Sequence, residues 1–143
     1  MSVKQISIFL ENKKGRLAEV TRLLAASGVN IRALSLADTA DFGVLRIIAD
    51  DPDACLAVLK ANGIIAQVTE VLAVEIEDRP GGLSRVLAAL EGAGLNVEYM
   101  YAYVEKTKAN AIVICKIDDR QRAAVVLKDN GIGTLSANEL KAL

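Results

Sequence analysis

An α+β chain of two tandem βαββαβ units is what this sequence predicts, on three observations. The chain resembles itself at an offset of 66 to 68 residues. Within each copy, apolar spacing passes from period two to helical period and back again. Glycines, alone or after asparagine, stand where the helical stretches stop.

The repeat comes first, because missing it would misassign the whole architecture. A shift of 66 lays Gly15-Arg16-Leu17-Ala18-Glu19-Val20 on Gly81-Gly82-Leu83-Ser84-Arg85-Val86, and Gly28-Val29-Asn30-Ile31 on Gly94-Leu95-Asn96-Val97. A shift of 68 lays Asp50-Asp51 on Asp118-Asp119, and residues 58–64 on 126–132. The second copy therefore holds two extra residues, between the equivalents of Leu36 and Asp50. A hairpin loop is where such an insertion fits.

Residues 3–10 alternate, with Ile6, Ile8 and Leu10 on one face, as a strand does. A polar, glycine-bearing turn then leads to a helical stripe, Leu17, Val20 and Leu24 in copy one and Leu83, Val86, Leu87 and Leu90 in copy two. These spacings bury one helix face. Gly28 and Gly94 stand where a helix takes a left-handed last residue. Asn30-Ile31 and Asn96-Val97 open a second strand, and a third follows at 44–49 and 111–117. Asp51-Pro52 starts the second helix of copy one, since proline suits a first turn. Asn62-Gly63 and Asn130-Gly131 end the second helices, and apolar segments from Ile64 and Ile132 supply fourth strands.

This order is the split-βαβ, or ferredoxin-like, arrangement: an antiparallel sheet with both helices on one face. The two units are expected at residues 1–69 and 70–143, with no Pro/Ser-rich linker between them.

Composition closes several function classes. Seventeen basic and eighteen acidic side chains leave a net charge of −1, without the basic excess that grips nucleic acid or an anionic membrane. Histidine is absent, so neither Ser-His-Asp nor Cys-His activation can be built, and the commonest neutral metal ligand is missing. No spacing marks a carboxylate pair as catalytic, and an enzyme is not expected. Cys55 and Cys115 lie sixty positions apart in apolar surroundings, simple core residues of a reducing compartment rather than a metal or redox pair. No cofactor or metal is expected. The longest charge-free stretch is nine residues, for example 23–31, against the roughly twenty that cross a bilayer. The leading residues carry no signal-peptide core, so the expected location is cytoplasmic.

Asp78-Arg79-Pro80-Gly81-Gly82-Leu83, with Gly94-Leu95-Asn96-Val97 downstream, resembles the ACT domain, a small regulatory module that typically binds amino acids. The resemblance spans the chain as two copies. Copy one departs at the turn, where Asn12-Lys13-Lys14-Gly15-Arg16 lacks the proline, while Gly15, Leu17, Gly28 and Asn30 fit. Copy one is also similar to the regulatory subunit of acetolactate synthase, through Gly-Arg-Leu-Ala-Glu-Val and Asn-Ile-Arg-Ala-Leu-Ser-Leu-Ala.

The resemblance implies a ligand at the turn after the first strand, closed by another ACT unit alongside. The physics agrees with that placement. A helix N-terminus offers amide donors and about half a positive charge to a carboxylate, and paired glycines let a ligand approach the backbone. The expected ligand-binding residues are Asp78, Arg79, Pro80, Gly81, Gly82, Leu83 and Asn96, with Asn12, Gly15 and Asn30 in copy one. Asp78 and Asn96 are the expected acceptors for an α-ammonium. Plainer roles stay open: Asp78 and Asn12 as helix caps, Pro80 and Gly81 as turn formers, Asn30 and Asn96 as local backbone partners, and the copy-one turn as solvated surface.

Tyr99, Tyr101 and Tyr103 recur with period two and share one sheet face. If Met100 faces the helices, they form an interface on the open face. The expectation is a regulatory, ligand-sensing protein that binds an amino acid between ACT units and forms a homodimer. The alternative is a regulatory subunit that confers feedback inhibition on an amino-acid biosynthetic enzyme such as acetolactate synthase.

Overall fold

The computed structural model describes residues 2–38, 41–104 and 110–143. The elements run β1 (Val3–Glu11), α1 (Arg16–Ala26), β2 (Ile31–Asp38), β3 (Phe42–Ala49), α2 (Pro52–Ala61), β4 (Ala66–Glu77), α3 (Gly82–Gly92), β5 (Val97–Ala102), β6 (Asn110–Ile117), α4 (Arg120–Asp129), β7 (Thr134–Leu135) and α5 (Ala137–Lys141). The chain divides into two compact units, Lys4–Thr69 and Glu70–Leu143, the latter with Met1–Val3. Both have the expected α+β, ferredoxin-like construction.

In the first unit the hydrogen-bonded order is β2-β3-β1-β4. β3 pairs antiparallel with β1, Ile6 opposite Ile47, and with β2, Leu36 opposite Leu45. Ile6, Ile8 and Leu10 of β1 meet Val20 and Leu24 of α1 and Cys55 and Leu59 of α2 in one core. The second unit repeats the plan. β6 lies between β4 and β5, and β7 pairs with the other side of β4. Leu72 and Val74 there meet Val86, Leu90, Ala123 and Leu127. The register locates the insertion, since Ala102 opposite Val113 reproduces Leu36 opposite Leu45 at shifts of 66 and 68. The hairpin segment that takes up the difference, 105–109, lies outside the described residues.

Local chemistry accounts for the helix ends. Asp51 accepts from the Ala54 N–H at 3.0 Å ahead of Pro52, and Asp119 accepts from Arg122 at 3.1 Å, so both second helices start on an aspartate cap. The four main helices stop on one hydrogen-bond pattern. Val29, Ile64, Leu95 and Ile132 donate their N–H groups to carbonyls five residues back, at 2.9–3.0 Å.

Several expectations change. Leu17 and Leu83 complete the helical stripe on paper, yet they are 40% and 39% exposed. Each sits in the first turn of its helix. The segment before Glu77 does run strand into strand as expected, as the unbroken twelve-residue β4, which ends one βαββαβ pattern and begins the next. The fourth strand of copy two shrinks to the two residues of β7, followed by the unforeseen α5. Both cysteines are free and buried in their respective cores. Burial, with the charges of Asp50 and Asp51, pushes the Cys55 thiol up to about 11, and burial alone pushes Cys115 to about 12. No helix among the described residues is long and apolar enough to cross a membrane.

Candidate functional site

The turn from β4 into α3 is built on its own backbone. Arg79 donates its N–H to the Glu77 carbonyl at 2.9 Å, and Gly82 donates to the Arg79 carbonyl at 3.0 Å. The first unit has the same turn, with Lys13 donating to Glu11 at 2.8 Å and Arg16 to Lys13 at 3.2 Å. The first amide of each helix is thus already engaged. The N-cap position falls to Gly81 and Gly15, with φ of 89° and 88°. A glycine cap offers no side-chain acceptor, so this position is filled for its left-handed backbone. Asp78 and Asn12 stand three residues earlier, so the cap role that their place in the sequence left open goes to glycine.

Gly82 answers a different need. A Cβ there would lie 2.0 Å from the Glu77 carbonyl oxygen. Gly82 thus packs on the protein's own backbone at the Glu77 carbonyl. The first unit carries Arg16 at this position.

A cavity of about 200 Å³ opens beside this turn in the second unit. Glu75, Ile76 and Glu77 of β4, Gly82, Arg85 and Val86 of α3, Asn110, and residues 131–133 line it. Its electrostatics centre on Arg85. The guanidinium donates to the Asn130 carbonyl at 2.7 Å and lies 3.8 Å from Glu77. Glu77 also pairs with Arg79, and Asn110 donates to Glu75 at 3.1 Å. Asp78 and Arg79 border an adjoining open depression with Glu77 and Asn110.

The first unit has a cavity of about 380 Å³ at the equivalent place. Its strand wall is Phe9, Leu10 and Glu11, its helix wall Arg16, Glu19 and Val20, and Phe42, Asn62, Gly63, Ile64 and Ile65 complete it. All of these but Asn62 fall on lining positions of the second cavity at the offsets of 66 and 68. The charge pattern recurs by another route. Arg16 lies 3.9 Å from Glu11 and 3.1 Å from Glu19, and Lys13 pairs with Glu11 at 2.7 Å. The Lys13 hydrogen bond and charge, then the Arg16 charge, hold the Glu11 carboxyl below its ordinary value. Asn12 lies a little apart, in a neighbouring cavity with Lys13, Leu17 and Leu36.

The structure separates some residues that the sequence grouped. Asn96 follows the C-terminus of α3 and Asp78 precedes its N-terminus, so within one unit the two stand about 16 Å of helix apart. The Asn96 N–H donates to the Asp118 carboxylate at 3.1 Å and its carbonyl accepts from the Asp118 N–H at 3.2 Å. Asn30 and Asp50 form the same clasp, at 3.0 Å in both directions. Both clasps use the main chain of the asparagine and an aspartate about twenty residues on, so they tie the strand entry to the end of the third strand of each unit. Met100 packs on the second core, which puts Tyr99 and Tyr101, both half-buried, on the other sheet face. Tyr103 follows the end of β5 and is only 6% exposed, so it is not available as an open surface. Arg85, Glu75, Glu77 and Asn110 were not foreseen. Glu11 and Glu77 share the 66-residue offset, which was the available signal.

Comparison with known proteins follows from this geometry. The family described as the ACT domain pair matches over residues 1–143. No match was found among curated protein sequences. The chain is similar to a solved protein of Bacteroides thetaiotaomicron, with 40% identity and a TM-score of 0.92, covering 100% of this chain and 98% of that one. It shares its fold with the regulatory subunit of aspartate kinase from Thermus flavus, at 17% identity and a TM-score of 0.62 over 90% of this chain and 92% of that one. E. coli aspartokinase III in complex with lysine and aspartate matches at 15% identity and a TM-score of 0.53, over 90% of this chain and 30% of that one.

Proposed function

Because the chain belongs to the ACT domain pair family, we propose that it is a regulatory protein whose second unit binds a small polar amino acid beside the first turn of α3. One observation carries this reading: Arg85 and Glu77 bring opposite charges to the mouth of a cavity of about 200 Å³. A zwitterion's carboxylate is suited to Arg85 and the positive end of α3. Its ammonium is suited to Glu75, Glu77 or Asp78. An amino acid offers few heavy atoms, and the affinity that so small a ligand can reach still allows micromolar binding from a handful of charged contacts. E. coli aspartokinase III, of the same fold, is known with lysine and aspartate, an analogy that agrees with the ligand class.

Occupancy regulates only if the ligand prefers one of two arrangements. A further ACT unit closing over the site would supply that preference, in a homodimer with Tyr99 and Tyr101 at the contact. A second reading, a subunit that docks on a biosynthetic enzyme and delivers feedback inhibition, is favoured by the separate aspartate kinase regulatory subunit, nearly matched in length. Co-purification of an enzyme whose inhibition requires this chain would select it.

The test is a thermal-shift screen of the intact chain against the common amino acids. A ligand at a hundred times its dissociation constant stabilises by about 2.7 kcal/mol. Arg85→Ala should abolish the response, Asp78→Ala should weaken it, and Asn96→Ala should not affect it unless another unit brings Asn96 to the ligand. A response indifferent to Arg85→Ala would place the ligand elsewhere.

A further inference from the structure

We propose that a reciprocal pair of arginine clamps locks α3 to α4 in the second unit, and that α1 and α2, built without donors at the same positions, are the helices that part first. Each clamp runs from the first turn of one helix to the closing carbonyl of the other. Arg85, the fourth residue of α3, donates through Nη2 to the Asn130 carbonyl at 2.7 Å, and Asn130 closes α4. Arg122, the third residue of α4, donates through Nη2 to the carbonyl of Ala93, which closes α3. The two helices are thus tied at both ends. Closing carbonyls have no partner within their own helix and carry the negative end of its dipole, so a guanidinium answers both needs at once.

At the offsets of 66 and 68, the clamp positions of the first unit hold Glu19 and Ala54. Neither side chain can donate to a carbonyl. Glu19 pairs instead with Arg16 of its own helix, at 3.1 Å. The other attachments of the helices recur in both units. Asp51 and Asp119 cap the second helices, and Asn62 and Asn130 donate their side-chain amides to Val58 and Val126 at 2.8 Å each. An ion pair ties the first strand to the second helix in each, Lys4 with Asp53 at 3.2 Å and Glu70 with Arg120 at 3.0 Å. Val20, Leu24, Cys55 and Leu59 enter one core where Val86, Leu90, Ala123 and Leu127 enter the other. The clamps are therefore what distinguishes the two helix pairs. Local opening falls on the least secured element, and the parts of a regulated protein that move are drawn from that end of the stability range. The second unit is then the frame, and the first is the part that responds.

The experiment is native-state hydrogen exchange of the full ¹⁵N-labelled chain, read by NMR as protection factors. Val29, Ile64, Leu95 and Ile132 each donate to a carbonyl five residues back, so the four amides compare like with like. Protection at Val29 and Ile64 is expected to lie at least about threefold below that at Leu95 and Ile132. Arg122→Ala should lower protection at Leu95, and Arg85→Met should lower it at Ile132, each with little change at Val29 and Ile64. Equal protection in the two units overturns the inference. A fall spread uniformly over all four amides in the arginine variants also overturns it, because the arginines would then support the whole chain rather than one helix pair.

Discussion

Alanine substitution of Gly82 and Gly92, ten residues apart on α3, should change stability in opposite directions. At Gly82 the new Cβ would sit 2.0 Å from the Glu77 carbonyl oxygen, and contacts below 3.0 Å are essentially never seen. The helix start must retreat by at least about 1 Å from a strand end to which its own turn is hydrogen-bonded, while Val86 and Leu90 hold it to the core. Forced overpacking of this kind costs about 1–3 kcal/mol. For a chain of this length that corresponds to a fall in Tm of about 2–12 °C. At Gly92 nothing lies within 4 Å of the added Cβ and φ is not positive. There alanine only restricts the unfolded chain and improves helix propensity, a gain of about 0.4–1 kcal/mol. Thermal unfolding followed by far-UV circular dichroism measures both. Equal Tm values for Gly82→Ala and the parent would mean that Gly82 is not required by its own backbone, and the account of the turn would be wrong.

Three further outcomes follow from the same structure. The buried thiols have raised pKa values, so their contribution to stability is complete below their ordinary value of 9.0 and is lost as pH rises through about 11 and 12. Urea midpoints should fall across that window, Ellman's reagent should label neither cysteine of the native chain at pH 8, and a flat alkaline profile would contradict their burial. Glu11 should titrate below 4.5 by carboxyl NMR and move upward in Lys13→Met; its lowered value means that the stabilisation exists above its unfolded value and fades as pH falls through the folded one. Asp118→Ala removes the acceptor of the Asn96 and Asp119 N–H groups, at 3.1 and 3.0 Å. It should cost about 1 kcal/mol and speed hydrogen exchange at Asn96, and unchanged exchange there would argue against the clasp.

Much of the fold is legible in the residues because its punctuation is local. Asp51 ahead of Pro52, and Asn62-Gly63 ending a stripe of Val58 and Leu59, describe helix boundaries by hydrogen bonds that the segment makes with itself. The internal repeat then supplies the topology by requiring one solution for both halves. The cavities are harder to read, since β1, α1, β3 and the stretch after α2 meet only in three dimensions. Asn62-Gly63 and Asn130-Gly131 look like helix terminators and are, but they also return the chain to the cavity wall. Exposure at Leu17 and Leu83 was equally hidden, because periodicity shows which side of a helix is apolar and not how much of that side is covered.

The two arginines hold a lesson for tracing how such duplicated chains diverge. In register, Arg16 pairs with Gly82 and Glu19 with Arg85, which a column-by-column comparison scores as one lost charge and one reversed charge. In space both guanidiniums reach the homologous strand glutamate, at 3.9 and 3.8 Å, from rungs one turn apart. Migration of a cation along a helix thus keeps an electrostatic landmark fixed while the sequence around it drifts. Surveys that count matching letters will underestimate the kinship of the two halves, and comparing where charged tips end up will recover it.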